Sequence, residues 1–148
     1  MSRTDGPAPE LSRRLGYLLK HAQLQLAELT AKALTPYGID GRELAVLVVC
    51  ASSEPASQQQ AAQRLGTDRT TMVALLDALE GKGLVSRHPD ADDRRRNVVE
   101  LTDAGQDTLR RATEAGDKAE RAFLAPLSPQ AAHQLRNSLH TIVTHPDS

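Results

Sequence analysis

The sequence predicts a mainly α-helical chain carrying one small β-hairpin, and three observations support that prediction. Helix-start signatures followed by apolar residues at helical spacing recur from Glu10 to the C-terminal region. Two short runs of strand-forming residues, Leu84–His88 and Asn97–Leu101, flank a charged, turn-rich stretch from Pro89 to Arg96. At 148 residues, 39% of them hydrophobic and 25% charged, the chain can bury a core of its own and is expected as a single domain over residues 10–148. Residues 1–9, with Gly6, Pro7 and Pro9, read as a loose arm.

From Glu10 to about Leu34, Leu11, Leu15, Leu18, Ala22, Leu26 and Leu29 keep helical spacing, while Leu19, Leu24 and Ala31 add apolar residues on other sides. That is more apolar surface than one small core can cover, so part of this helix is expected to pack on a second chain. Pro36 and Gly38 end it. The second helix opens at Asp40 with Glu43 in the capping-box position, and its run Leu44–Ala51 is apolar all round, as a buried helix would be. A linker over Ser52–Ala56, containing Pro55, follows.

Ser57 and Gln60 form a second capping box; Ala61, Ala62 and Leu65 give the third helix an apolar side, and Gly66 stops it. Thr67 or Asp68 caps the fourth helix, in which Met72, Leu75, Leu76 and Leu79 fall on one stripe. Thr70, Ala74 and Asp77 then point the opposite way. Gly81-Lys82-Gly83 ends it, and the hairpin follows. Thr102 or Asp103 caps the fifth helix, with a narrow stripe of Leu109, Ala112, Gly116, Ala119, Phe123 and Leu127. Ser128 caps the sixth, Pro129 occupies its first turn, and Ala132, Leu135, Leu139, Ile142 and Val143 line one side. The two ends of the chain, residues 10–36 and 102–145, are expected to form a helical dimerisation region around a lobe spanning residues 40–101.

Two short helices joined by a tight turn and followed by a hairpin read as a winged helix-turn-helix, a reader of double-stranded DNA. A major groove about 12 Å wide admits a helix, and the short side chains on the outer face of the fourth helix let its backbone come close. Thr67, Arg69, Thr70 and Thr71 crowd the N-terminal end of that helix, Ala74 lies further along the same side, and Ser57 opens the helix before it. Hydroxyls, a guanidinium and free helix N–H groups can all meet phosphate or base there. At the hairpin tip, Arg94, Arg95 and Arg96 suit a narrow minor groove, and Asp93 can orient a neighbouring arginine. Arg87, Arg94 and Arg96 are candidates for a phosphate clamp. The formal net charge is −1, and seven basic side chains face six acidic ones between Arg64 and Arg96. The DNA reading therefore requires the fold to sort the cations to one side.

Little else in the sequence carries chemistry. The five histidines are scattered without metal-ligand spacing, and neither a glycine-rich phosphate loop nor a nucleophile elbow is found, so no enzymatic role, metal or cofactor is expected. With no leader-like or membrane-spanning stretch, the expected location is the cytoplasm. Cys50, the single cysteine, sits in an apolar run and reads as a small buried hydrophobe. Two alternatives compete: a redox-sensing DNA-binding regulator using Cys50, and a winged-helix module that binds protein instead of DNA.

Asp93-Arg94-Arg95, followed after five residues by Leu101-Thr102 and after two more by Gly105, resembles the wing signature of the MarR family, the bacterial multiple antibiotic resistance regulators. The stretch Asp68–Glu80, with Gly83-Leu84-Val85 after it, is similar to that family's recognition helix and following strand. Residues 10–145 fit the family's six-helix layout. One departure is Val73-Ala74, where many members carry a polar or basic pair, which shifts the expected base reading toward Arg69, Thr70 and Thr71. The resemblance implies a homodimeric repressor on a pseudo-palindromic operator, with Arg95 as the minor-groove arginine, released by a small aromatic or phenolic ligand bound between the dimer helices and the DNA-binding lobe. Arg14, Tyr17 and His21 share a side of the first helix and are the candidate ligand residues, with residues of the second helix expected to cover the ligand's ring.

Overall fold

The computed structural model describes residues 9–52 and 56–145; apart from Pro9, the expected N-terminal arm lies outside them, as do residues 53–55 of the linker and the last three residues. The chain divides into two compact units, Thr30–Asp117 and Met1–Leu29 with Lys118–Ser148.

The described residues form seven α-helices and a three-stranded sheet, against six helices and a two-stranded hairpin expected from sequence. The extra helix arises because the first expected helix is broken: α1 spans Pro9–Ser12 and α2 spans Leu15–Leu34. Between them the Arg14 N–H donates to the Leu11 carbonyl three residues back, and the Leu18 N–H starts a new ladder on Arg14. A 3-10 turn, Thr35–Tyr37, follows α2, and Gly38 ends it at φ 72°, in the left-handed region that glycine enters at no steric cost.

In the central unit, α3 (Gly41–Cys50) starts on the expected capping box: the Glu43 N–H donates to Asp40 Oδ1 at 2.8 Å and the Asp40 N–H to Glu43 Oε1 at 3.0 Å. Glu43 is itself buried, and Lys82 Nζ reaches its other oxygen at 2.7 Å and the Gly38 carbonyl at 2.8 Å. Val46, Leu47 and Cys50 of α3 are buried but Val48 is exposed, so the apolar-all-round run buries one side. Next come α4 (Gln58–Leu65) and α5 (Arg69–Gly81). The core they enclose centres on Leu34, Leu47, Met72, Leu76, Leu79 and Val99.

The strands are β1 (Ala56–Ser57), β2 (Val85–Pro89) and β3 (Asn97–Leu101), antiparallel in the order β1-β3-β2. β1 pairs Ala56 with Val99 and Ser57 with Val98, and two residues are too few for any alternation to announce a strand. β2 lies at the edge, paired with β3 alone, and ends on Pro89, which has no N–H to give to the ladder. α6 (Asp103–Leu124) is fastened to the start of β2. The Thr102 hydroxyl donates to the Gly83 carbonyl at 2.6 Å and accepts from the Gly105 N–H at 3.0 Å. A Cβ on Gly105 would lie 1.9 Å from the Leu84 carbonyl oxygen, so only glycine fits there. This is the physical content of the Leu101-Thr102…Gly105 pattern.

In the terminal unit, α7 (Pro129–Thr144) begins on Ser128, whose hydroxyl accepts from the Ala131 N–H at 3.1 Å, with Pro129 in the first turn. Arg136 of α7 donates to Glu120 of α6 at 3.0 Å. None of the described residues of α7 is buried.

Candidate nucleic-acid interface

α5 presents two faces, as its periodicity predicts. Met72, Leu75, Leu76 and Leu79 are buried in the core, while Thr70, Ala74 and Asp77 are exposed along the other side. Its N-terminus is fixed by Asp68, whose Oδ1 accepts from the Thr71 N–H at 3.0 Å. Those hydrogen bonds from Thr71 hold the Asp68 carboxyl below its ordinary pKa, so it stays ionised at the positive end of the helix. Just upstream, Gly66 at φ 77° closes α4, and the Thr67 N–H donates to the Ala62 carbonyl, setting the tight turn between the two helices.

The hairpin tip is ordered by its own polar groups. The Asp90 N–H donates to the Arg96 carbonyl at 2.8 Å and the Arg96 N–H to the Asp93 carbonyl at 3.0 Å. Asp93 Oδ1 accepts both from the Arg95 N–H at 3.1 Å and from Arg95 Nε at 3.2 Å, although the Arg95 side chain is 92% exposed. Arg95's hydrogen bonds, with the charge of Arg96, lower the Asp93 pKa. A guanidinium that would otherwise sweep a large volume is thereby aimed by one carboxylate.

Arg69, Arg95 and Arg96 line one polar cleft of about 240 Å³ together with Ser57, Gln58 and Asn97. Three arginines from α5 and the hairpin thus meet beside the N-terminus of α4. Ser57 is buried, and its hydroxyl oxygen accepts from the Gln60 N–H at 3.1 Å, capping α4 at the edge of this cleft. Thr70, Thr71 and Ala74 line a separate shallow cleft with Asp40, Arg42 and Glu43. Arg94 is exposed at the tip. Arg87 differs from the expected phosphate clamp: its side chain is 17% exposed, and its guanidinium is bound to Asp77 and Glu80. Gln58, Gln59 and Asn97 complete the lining of the arginine cleft, and their signal in the sequence is that side-chain amides open α4 and β3 on either side of the arginine tip.

These pairings account for the near-neutral charge count. Asp68 caps α5, Asp77 and Glu80 are bound by Arg87, and Asp93 holds Arg95. No ion pair among the described residues engages Arg69, Arg94 or Arg96. These four acids are committed to internal contacts, and of the cations left without an ion pair Arg69 and Arg96 line one cleft.

In the terminal unit the Tyr17 and His21 rings lie 4.2 Å apart at 37°, on the wall of a cleft of about 440 Å³ shared with Leu18, Phe123, Leu127 and Leu135. Arg14 is exposed and is not part of that lining. The α3 residues expected to cover a ligand ring belong to the other compact unit. Among the described residues no group of His, Cys, Asp and Glu is arranged to hold a metal ion, and no helix is long and apolar enough to cross a membrane.

Two helices set by a glycine turn, an exposed outer face on the second, and an arginine-tipped hairpin beside it define a winged helix-turn-helix of the DNA-binding kind. The profile described as MarR family matches residues 37–96. The transcriptional repressor CouR, solved on a 23-mer DNA duplex, is 34% identical with a TM-score of 0.88, over 95% of this chain and 99% of that one. CouR from Rhodococcus jostii RHA1 bound to p-coumaroyl-CoA aligns at 31% identity and a TM-score of 0.78, over 91% of this chain and 95% of that one. A transcriptional regulator (MarR family) from Rhodococcus sp. RHA1 is 30% identical with a TM-score of 0.82, over 91% of this chain and 96% of that one. The chain belongs to the MarR family and is a DNA-binding transcriptional regulator, not an enzyme.

Proposed function

We propose that the protein is a cytoplasmic, homodimeric repressor of a nearby operon that binds a pseudo-palindromic operator and is released by a small aromatic or phenolic ligand. The observation that carries the DNA-binding part is the convergence of Arg69, Arg95 and Arg96 on one cleft at the start of the helix that exposes Thr70 and Ala74. In this reading α5 enters the major groove, with Arg69, Thr70 and Thr71 against bases and Ala74 against thymine methyl groups. Arg95 enters the adjacent minor groove, and Arg94 and Arg96 hold phosphates. The exposed apolar residues of α2 and α7 support a second copy as the partner, and two-fold symmetry would set the two recognition helices about 34 to 36 Å apart. Repression is supported by the likeness to a named repressor.

The aromatic ligand is supported by the Tyr17–His21 ring pair in its apolar-walled cleft and by the p-coumaroyl-CoA that CouR holds. Arg14 or His21 would meet the ligand's carboxylate or phenolate. A ligand favouring a helix spacing mismatched to successive major grooves would shift the population off DNA.

Fluorescence anisotropy on DNA flanking the protein's own gene, across a salt series, tests the reading. Sequence-preferring, salt-dependent binding that Arg95→Ala weakens most at A·T-rich flanks is expected, followed by release on titrating aromatic carboxylates or their thioesters into the complex. Absence of binding to any duplex, including those offered in a random-site selection, overturns it. Release undiminished in an Arg14→Ala, His21→Ala double variant removes those residues from the ligand site.

A further inference from the structure

Arg87 belongs to β2, yet its side chain reaches back to both helices. Nη2 donates to Asp77 Oδ1 at 2.6 Å and to Glu80 Oε1 at 2.7 Å, and Nη1 donates to Gln58 Oε1 at 3.0 Å. Asp77 and Glu80 are three residues apart on α5, so Nη2 alone reaches both, and the other arm of the planar guanidinium reaches Gln58, which opens α4. β2 is an edge strand, hydrogen-bonded to β3 alone, and beyond the buried Val85 its residues are half-buried or exposed. The Arg87 fork is the polar tie that this edge makes to the helices.

We infer that Arg87 is a positioning residue: it pins the hairpin to α5 and α4 and neutralises Asp77 and Glu80, setting where Arg95 and Arg96 meet DNA without contacting DNA itself. The inference rests on the DNA-binding reading above. Two physical arguments favour it over a direct phosphate contact. Three of the five guanidinium N–H donors are already committed, and withdrawing them from two carboxylates would leave negative charge on the outer side of the reading helix. The strength of the tie also shows in the acid, since Arg87's hydrogen bond lowers the Glu80 pKa.

A double-mutant cycle separates the two roles. Arg87→Gln is expected to weaken operator binding about tenfold while leaving the salt slope unchanged, because no phosphate contact is lost. In that background Arg95→Ala should cost much less than it does in the wild type, because the hairpin that carries the arginine is no longer held against the helices. Arg87→Lys should behave like Arg87→Gln, since an ammonium cannot make the fork, whereas a phosphate contact would survive it. An Asp77→Asn, Glu80→Gln variant tests the sign directly and does not depend on Arg87→Gln folding. Positioning predicts weaker binding even though two negative charges are gone; a phosphate clamp freed of its competitors predicts tighter binding. A salt slope lower by about one with the Arg95→Ala loss undiminished, or tighter binding in the carboxylate variant, overturns the inference. A wild type that binds no duplex is a failure of the DNA reading instead. Amide hydrogen exchange then decides the pinning alone: faster exchange across β2 and β3 in Arg87→Gln upholds it, and unchanged exchange overturns it.

Discussion

The two compact units contain similar kinds of apolar residue and dispose of them in opposite ways. In Thr30–Asp117, Leu34, Leu47, Met72, Leu76 and Leu79 are each 0% exposed. In the terminal unit, Leu15 is 68%, Leu24 55%, Ile142 62% and Val143 72% exposed, and Ala119 is the one core residue among those described. Side chains of this type stabilise by roughly 1.5–3 kcal/mol each when fully removed from water. The central unit collects that stabilisation within one chain; the terminal unit leaves it available for another. A reading head complete in itself and helices that are incomplete alone suit the proposed reading, in which two copies would each take one half-site.

The sharpest way to break this contrast is to damage each unit in turn. Leu76→Ala opens a cavity in a closed core and is expected to cost about 3 to 5 kcal/mol. The loss would appear as a lower urea midpoint of the central unit, and the same loss should be measured at high and low protein concentration. Ile142→Glu with Val143→Glu strikes residues that one chain leaves in water, so its effect should fall on assembly. Sedimentation equilibrium is expected to give the mass of a single chain, while the central unit's unfolding midpoint moves by less than about 0.5 kcal/mol. An unchanged mass, or loss of the central fold at every concentration, would contradict the division.

How much of this could be read from sequence follows the range of the interactions involved. The caps at Asp40, Ser57 and Ser128 join residues three apart, so they show in any four-residue window. The two faces of α5 are equally legible, because the 3.6-residue period separates Leu76 and Leu79 from Thr70 and Ala74. The extra strand, β1, is hidden by its length of only two residues, Ala56 and Ser57. The break between α1 and α2 rests on a turn at Arg13-Arg14 where no proline or glycine marks it. For the site, Arg69, Arg95 and Arg96 were named from local context, but that they share a cleft with Gln58 and Asn97 depends on how the hairpin folds back toward α4. The pairings of Arg87 are hidden for the same reason: its partners lie 29, 10 and 7 residues away, and periodicity carries no information about such distances.

Acid tests a finer consequence of the central unit's committed carboxylates. Glu80 and Asp93 are held below their ordinary pKa values by hydrogen bonds from Arg87 and Arg95. A carboxyl whose pKa is lower folded than unfolded contributes stability that is fully present above the unfolded value and is lost as pH falls through the folded one. The urea midpoint should therefore drop as pH is lowered from about 5 to 3, with a shallower dependence in Arg87→Gln, which no longer depresses Glu80. Glu80 is exposed and Asp93 only half-buried, so the difference should be small and should shrink further in high salt. An identical pH profile in the variant would mean that the fork does not persist in solution.

The smallest expected effect concerns Cys50, the one thiol of the chain. It is 5% exposed at the end of α3, and burial pushes its thiol up to about 11 against a modest opposing pull from the charge of Arg64. Reaction with peroxide or with a disulfide reagent needs the thiolate, whose population near neutral pH is then only about one part in ten thousand before the burial of the sulfur is counted. Native protein at pH 7.5 should therefore react with a thiol reagent orders of magnitude more slowly than the same protein in denaturant. Its operator affinity should be unchanged by mild peroxide, as should that of Cys50→Ser. A reversible change in wild type that Cys50→Ser abolishes would show that α3 opens on the timescale of the reaction, and the closed core of the central unit would then need to be described as a dynamic one.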